Sequence, residues 1–271
     1  MKSRSDALRR QKTDGAHGSA HTVHQVVTNA TRNGSHGAAT DGAAAQNLLL
    51  AKLPPEELMA ILEQAQVVSY ELRDVLFEKG EQLTHVYFPI TGMISLLTVL
   101  ADGTFIEAMT VGYEGMAGLP LFHRVTTERL KGVCQIEGSV YRIPADAFLG
   151  IIETSPELSR MLHRYSQFAN DAMAQLAACN SIHLIEQRCA RWLLLTADAV
   201  KNGSFTLTQE FLSQMLAVRR SGVTAAMGTL ERQNLIAARY GAVTILDKAG
   251  LARISCECYQ TISDRRRDLL S

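Results

Sequence analysis

Apolar and polar positions alternate in short runs through the first half of the chain. Between Val67 and Ile143, apolar runs are separated by turn signals that each contain a glycine. Several short strands with regular glycine-containing turns are typical of an antiparallel barrel or jelly roll. The preceding prolines, Pro54 and Pro55, suit the first turn of a helix whose apolar residues follow at helical spacing. The turn signals are Lys79-Gly80, Thr91-Gly92, Asp102-Gly103 and Glu137-Gly138.

The spacing of apolar residues becomes helical after Ala145, and Pro156 starts a long segment with one apolar face. A long helix with such a stripe, placed between two domains, predicts a dimer seam; the alternative is that the stripe packs on its own barrel. A second helix follows, with Trp192 expected in its core. The stripe consists of Leu158, Met161, Leu162, Tyr165, Phe168, Ala169, Ala172 and Leu176.

A helix-turn-helix pattern begins at Thr208, which can cap a helix because its hydroxyl accepts from a free amide of the first turn. A short helix follows, and residues 217–219 occupy the place of a tight turn, where a small residue lets two helices cross closely. The second helix is predicted from about Arg220 to Gln233, and a short two-stranded wing turns at Tyr240-Gly241. Its inward side chains are predicted to be Val223, Met227 and Leu230.

The second helix of this pattern carries the chemistry of a DNA reader. Residues at the N-terminus of such a helix approach base edges in the major groove, where an arginine can bind guanine through two hydrogen bonds. The chain has a formal net charge of zero, but its arginines concentrate locally in this segment. The predicted DNA contacts are Thr208, Gln209, Arg219, Arg220, Ser221, Thr224 and Arg239.

Other features narrow the class of protein. The 271 residues, 46% of them hydrophobic, suffice for two globular domains. No apolar run approaches the ~20 residues of a membrane span, and the basic N-terminus lacks the apolar core of a secretory signal. Five scattered cysteines make no disulfide framework, so we expect a cytoplasmic protein with reduced thiols and no membrane partner. Cys256 and Cys258 are interpreted as structural or free thiols, and neither a metal nor a cofactor is predicted. The arginines at 265–267 are interpreted as a solvated helix end.

From Leu48 to Asp247 the sequence resembles the CRP/FNR family of bacterial regulators, most closely in LTQEFLSQMLAVRRSGVTAAMGTLERQNLI. The resemblance implies an α+β fold with an N-terminal antiparallel β-roll of the cyclic-nucleotide-binding type, a long dimerisation helix and a C-terminal winged helix-turn-helix. The expected divisions are a disordered extension (1–45), the β-roll domain (46–154), the dimerisation helix (155–180), the DNA-binding domain (181–260) and a C-terminal tail (261–271).

The sequence departs from the family pattern at the predicted recognition helix. Arg220 is similar to the family's recognition arginine, but Ser221 stands where a glutamate commonly follows, and Ala225 stands where a further arginine is found. A different operator is therefore expected, with Arg219 as a candidate to replace part of the lost contact.

The effector region departs more strongly. Gly118 and Leu119 stand where the family's cyclic-AMP site has glutamate and leucine, and Arg129 lies near the position of its phosphate-binding arginine, but Leu130 replaces a small hydroxyl residue. Because ligand polar groups left without partners cost about 1–3 kcal/mol each, no tight cyclic-AMP binding is expected. Gly118, Leu119 and Arg129 remain the candidate effector-pocket residues, and the effector itself is unknown.

The predicted function is sequence-specific transcription regulation by a homodimer on a two-fold-symmetric site in double-stranded DNA, with RNA polymerase left open as a further partner. The alternative is a signalling or ligand-binding module that acts through protein contacts and carries a degenerate helix-turn-helix. An enzyme is not expected, because the barrel region offers only His85 and His123 as histidines and no nucleophile or phosphate-loop motif.

Overall fold

The computed structural model describes residues 46–200 and 203–271, so the extension predicted for residues 1–45 lies outside the described part. The helices are α1 (Pro55–Gln64), α2 (Ala145–Thr154), α3 (Pro156–Ile182), α4 (Ile185–Ala199), α5 (Gln209–Met215), α6 (Arg220–Arg232), α7 (Lys248–Ile254) and α8 (Cys258–Leu270), with 3-10 turns at Leu50–Lys52 and Leu119–Leu121. The strands are β1 (Gln66–Tyr70), β2 (Val75–Phe77), β3 (His85–Val99), β4 (Phe105–Val111), β5 (Lys131–Pro144), β6 (Ser204–Thr206), β7 (Ile236–Arg239) and β8 (Ala242–Ile245).

The first sheet has the antiparallel character that the sequence predicts. Its strand order is β1-β5-β3-β4, and β2 also pairs with β5. A second, three-stranded sheet has the order β6-β8-β7, so the wing predicted as two-stranded gains a third strand from the segment before α5. Among the helices of the described residues, none is both long and apolar enough to cross a membrane.

Two glycine positions predicted as turns are instead bends inside long strands. The pairing of β3 with β5 shifts register on both sides of Thr91, and both strands continue past it. A Cβ on Gly92 would lie 2.4 Å from the carbonyl oxygen of Ile136, and one on Gly138 would lie 2.2 Å from that of Thr91. Glycine is used here because the two backbones approach too closely for a side chain, which is typical of bulges and bends in curved sheets.

The apolar stripe of α3 lies inside the chain. Its eight residues belong to the core formed with the first sheet, and Ile262 and Leu269 of α8 join the same core. The stripe is therefore not free to form a dimer seam, and a seam on α3 would have to use the opposite face. The exposed positions on that face include His163, Gln167, Asn170, Ala174, Ala177 and Ser181.

A second core holds the helix-turn-helix together. It joins α4, α5, α6 and the wing, and Trp192 of α4 is 3% exposed within it, as the sequence predicts. Residues 261–271, predicted as a tail, mostly continue α8. Arg266 of α8 is not a solvated helix end, since its guanidinium lies 2.8 Å from the Asp198 carboxylate of α4 and is largely covered.

A buried polar network joins the first sheet to α4. Ser95 Oγ lies 2.9 Å from Glu107 Oε2 and 2.5 Å from Gln135 Oε1, and Gln135 Nε2 donates to Thr196 Oγ1 over 3.1 Å. Burial raises the pKa of Glu107 from its ordinary value of 4.5 to about 7, although the Ser95 hydrogen bond and the charge of Arg191 act in the opposite direction. A protonated Glu107 can donate to Ser95, which leaves the single Ser95 proton for Gln135.

Replacing Glu107 by glutamine is expected to stabilise the protein most at high pH. The unfolded carboxyl loses its proton near pH 4.5 and the folded one near pH 7, so stability falls as pH rises between these values. We expect Glu107→Gln to raise the free energy of unfolding by about 2 kcal/mol at pH 8 and by less than half of that at pH 5. Urea unfolding from pH 5 to pH 8 measures this, with exposed Glu137→Gln as control. An equal gain at both pH values would show that burial of the charge is not the cause.

Candidate nucleic-acid interface

The first helix of the motif begins where its cap predicts. Thr208 Oγ1 accepts a hydrogen bond from the Phe211 amide over 3.1 Å, which satisfies one of the free amides of α5. Glu210 adds a carboxylate to the first turn, which is the favourable end of the helix dipole for a negative charge. The N-cap prediction is therefore confirmed, and α5 starts at Gln209.

The turn between the two helices occupies the predicted tripeptide. Ala217 takes a left-handed backbone with φ of 50°, and the Val218 amide donates to the Ser213 carbonyl over 3.0 Å. Val218 is partly buried against the second core, as expected of an apolar residue at the corner. The buried guanidinium of Arg188 donates to the Leu216 carbonyl and so holds the end of α5 from α4.

One face of α6 is buried, whereas the side chains around its N-terminus are exposed. Val223, Met227 and Leu230 are at most 2% exposed, which confirms the predicted inward positions. The exposed side chains at the other face are those of Arg219, Arg220, Ser221, Thr224 and Ala225. Because Arg219 is the N-cap of α6, the first-turn amides and these side chains face the same region.

The predicted contact residues of α5 and α6 are brought together. Thr224 Oγ1 donates to Gln209 Oε1 over 2.6 Å, and Arg220 Nε lies 4.0 Å from Glu210 Oε2. Both pairs are exposed, so they connect the side chains of α5 and α6 while leaving them open to solvent. The two helices therefore offer one continuous polar face.

The wing lies next in the chain. Tyr240 and Gly241 both have positive φ, 52° and 78°, as a two-residue type I′ hairpin turn requires. The Tyr240 side chain is fully exposed, and Arg239 beside it is exposed as well. Glu231 of α6 accepts from the Ala238 amide over 2.9 Å, which fixes the wing to the end of the recognition helix.

The structure places the three candidate effector residues in different surroundings. Gly118 is buried with φ of 90°, and Leu119 packs against the first core. The Arg129 side chain is exposed, whereas the adjacent Glu128 is 4% exposed and accepts from the amides of Arg129 and Leu130 over 2.7 and 3.0 Å. The Glu128 carboxylate is thereby held to the backbone of the segment that carries Arg129.

Sequence reasoning missed the role of Arg188. It lies three residues before Arg191 among the mostly apolar buried residues of α4, and both arginines are at most 7% exposed. Charged residues are rarely buried unless paired, so two arginines among core positions were the signal that a backbone or charge partner must exist.

Two family models match the chain. The model of the Crp-like helix-turn-helix domain matches residues 187–254, and that of the cyclic nucleotide-binding domain matches residues 67–155. The transcriptional regulator LdrP from Thermus thermophilus is 26% identical over an alignment of 195 positions that covers 67% of this chain and 92% of the relative. These relatives are transcription regulators rather than enzymes, as the sequence predicts.

Solved structures share the fold. TTHB099, a CRP-family transcriptional regulator from Thermus thermophilus, is 22% identical with a TM-score of 0.57 over 69% of this chain and 96% of that chain. A crp/fnr-family regulator from Eubacterium rectale is 16% identical with a TM-score of 0.60, covering 76% of this chain and 96% of that chain. CLP from Xanthomonas campestris, described as responsive to c-di-GMP, is 16% identical with a TM-score of 0.57, covering 71% and 99%.

At these identities the structural likeness establishes the fold alone, whereas the two family models identify both parts of the chain in their order. The β-roll, the long helix and the winged helix-turn-helix follow one another as the sequence predicts. With both domain models and a curated regulator in agreement, the chain belongs to the CRP/FNR family of transcription regulators.

Proposed function

We propose that the chain binds a two-fold-symmetric site in double-stranded DNA as a homodimer and reads its sequence with the start of α6. The observation that carries the proposal is the exposed cluster of Arg219, Arg220, Ser221 and Thr224 around the N-terminus of a helix whose opposite face is fully packed. A rigid helix that offers donors at its N-terminus fits the major groove and its base edges.

Each side chain of the cluster has a proposed part in binding. Arg220 is assigned to a guanine through paired hydrogen bonds, with Arg219 reaching an adjacent base or phosphate. Ser221 and Thr224 supply hydroxyls that bind either group. Thr208 and Gln209 at the start of α5, and Arg239 in the wing, are assigned to the phosphate backbone, which sets the orientation of the protein.

Helix α3 is the proposed dimer element. Its 27 residues extend over about 40 Å, and its apolar stripe is already buried within the chain. The remaining exposed positions His163, Gln167, Asn170, Ala174, Ala177 and Ser181 alternate in steps of four and three, which is the spacing of a coiled-coil seam. Such a seam would be small and polar, so we expect a dimer that depends on protein concentration.

Cyclic AMP is not the proposed effector. Exposed Arg129 and buried Glu128 replace the arrangement that would hold a cyclic phosphate, and Leu130 offers no hydroxyl. The resemblance to the family leaves a different effector for the β-roll domain and a contact with RNA polymerase as further proposals.

Selection of bound fragments from random DNA tests the proposal directly. We expect an inverted repeat with half-site centres about 34 Å apart, bound by a dimer in sedimentation experiments on the complex. Binding should weaken steeply with salt, because phosphate contacts release counterions. If no sequence is enriched and affinity does not depend on salt, the alternative of a signalling module acting through protein contacts is correct.

Replacing Arg239 by alanine is expected to weaken binding to selected and random duplexes alike, because a phosphate contact carries no sequence information. The slope of log affinity against log salt should fall by about one per chain. Fluorescence anisotropy at several salt concentrations measures both quantities. Arg267→Ala serves as the control, since that arginine pairs with Asp264 at 2.8 Å on α8 and is 71% exposed. A loss confined to the selected sequence would instead place Arg239 on a base.

A further inference from the structure

Three thiols and one imidazole meet where α3 ends and α8 begins. Cys179 lies in the last turn of α3 and His183 directly follows that helix, whereas Cys256 precedes α8 and Cys258 is its first residue. All four candidate ligand atoms lie within 4.8 Å of one another. Cys179 Sγ lies 3.5 Å from Cys256 Sγ, and Cys258 Sγ lies 3.6 Å from His183 Nδ1. These distances are those of ligand atoms around a common centre rather than of unrelated side chains.

The chain builds this cluster from two short spacings. His183 is the C-cap of α3, and its amide donates to the Cys179 carbonyl over 3.1 Å, so the two residues stand together at the end of that helix. Cys256 and Cys258 flank Glu257 at the point where the chain enters α8. The three thiols are at most 4% exposed and form a buried cluster separate from both apolar cores.

The groups around the cluster match the surroundings of a metal. Glu257 Oε2 lies 3.2 Å from His183 Nε2, so the ring nitrogen that faces away from the thiols has a carboxylate partner. Gln175 Nε2 donates to Cys258 Sγ over 3.1 Å. A carboxylate that orients a ligating histidine and a donor to a thiolate are the outer contacts that metal sites use.

We propose that Cys179, His183, Cys256 and Cys258 bind one structural Zn²⁺ ion. Zinc bonds of about 2.3 Å to sulfur and 2.0 Å to nitrogen place the ligand atoms of a tetrahedral site about 3.3–3.8 Å apart. The Cys179–Cys256 and Cys258–His183 separations of 3.5 and 3.6 Å fall in this interval, and all six separations are within 4.8 Å. Three cysteines and one histidine are one of the ligand sets that structural zinc sites use.

Binding is balanced by proton release. The ion displaces the protons of three thiols, which pass to solvent, and it takes a lone pair from neutral His183 at Nδ1. The product is a site of net charge −1. The positive charge of buried Arg191 acts on Cys179 and Cys256 and would partly offset that charge.

The ion would fasten the joint between the two domains. Residues 183–184 separate α3 from α4. Leu184 in this connection is 72% exposed, and Ile182 at the end of α3 is 77% exposed. Cys179 and Cys256 are 77 positions apart in sequence, so a bond through zinc closes most of the DNA-binding domain into one loop. The orientation of α6 relative to α3 would thereby be set by the metal.

Metal content of the full-length protein, purified in reductant without chelator, tests the proposal. We expect about one zinc per chain by mass spectrometry of the metals. Replacement by Co²⁺ should give the thiolate-to-metal charge-transfer band and the intense visible bands of a tetrahedral sulfur site. His183→Gln and Cys258→Ala should each lower zinc affinity at least tenfold in competition with a chromophoric chelator. Cys189→Ala, which removes a buried thiol of α4 outside the cluster, should leave metal content unchanged.

Because His183 is only partly buried, its variant is expected to fold even if loss of a core thiol does not, and its circular dichroism is compared with that of the wild type. A protein that holds no stoichiometric zinc after zinc is supplied, or variants that retain it, would overturn the proposal. So would iron in place of zinc, or a Cys179–Cys256 disulfide in protein prepared in reductant. None of these readouts depends on DNA binding.

Discussion

Replacing Arg220 by alanine is expected to reduce affinity for the selected DNA site by about 5- to 100-fold and to relax base preference at one position of each half-site. The reason is the loss of a paired contact to guanine, which contributes about 1–3 kcal/mol of discrimination. Binding to random DNA should change far less, because only the general charge attraction is reduced there. Parallel titrations of the selected and random duplexes measure the difference.

Arg124→Ala is the matched control for this experiment. Arg124 lies in the β-roll domain, pairs with Glu153 at 3.0 Å and has a side chain that is 53% exposed. Its removal changes the charge by the same amount away from α6 and should leave the preference for each base intact. If Arg220→Ala lowers both affinities equally, Arg220 contacts phosphate and another residue of α6 reads the base.

Replacing Gly138 by alanine is expected to destabilise the protein by about 3 kcal/mol, near the upper end of overpacking effects. The added Cβ would lie 2.2 Å from the Thr91 carbonyl oxygen and 2.5 Å from its carbonyl carbon. Backbone atoms cannot move aside as the end of a side chain can, so β3 and β5 would have to separate at their bend. Urea unfolding reports the loss in the midpoint concentration.

Gly150→Ala makes the same chemical change but is expected to raise the free energy of unfolding instead of lowering it. Gly150 lies within α2, and an added Cβ there meets no atom within 4 Å. Alanine in a helix is favoured over glycine by about 0.5–1 kcal/mol, so this variant should be slightly more stable. Equal effects of the two substitutions would contradict the assignment of Gly138 to a close approach of two backbones.

The helix-turn-helix could be predicted in detail because its signals are local. Thr208 caps the helix that it precedes, Ala217 sits in the turn, and Val223 with its neighbours follows helical spacing over a few turns. Each of these features depends on residues no more than a few positions away. The order of the domains follows from the same local change from strand-like to helical periodicity.

Features that depend on distant parts of the chain were not predicted. The glycines Gly92 and Gly138 are typical of turn sequences. Only the pairing of β3 with β5 shows that they lie where two strands approach closely. The stripe on α3 predicts a dimer seam from its spacing, whereas the packing of the first sheet and α8 against it places the stripe in an internal core. The proposed metal site is likewise visible only in the folded chain. The pair Cys179 and His183 and the pair Cys256 and Cys258 each offer two ligands, and the fold brings the two pairs together.

The contacts between α5 and α6 have a consequence for selectivity. In the free protein Thr224 already donates to Gln209, and Arg220 lies beside Glu210. In the proposed complex, DNA would replace these interactions that the protein makes with itself, and a base with fewer acceptors than guanine would compensate for them less well. Affinity at each site is a difference between these two states. Under the proposed binding mode, the contacts within the unbound surface would compete with DNA and lower affinity for a non-matching sequence more than for a matching one.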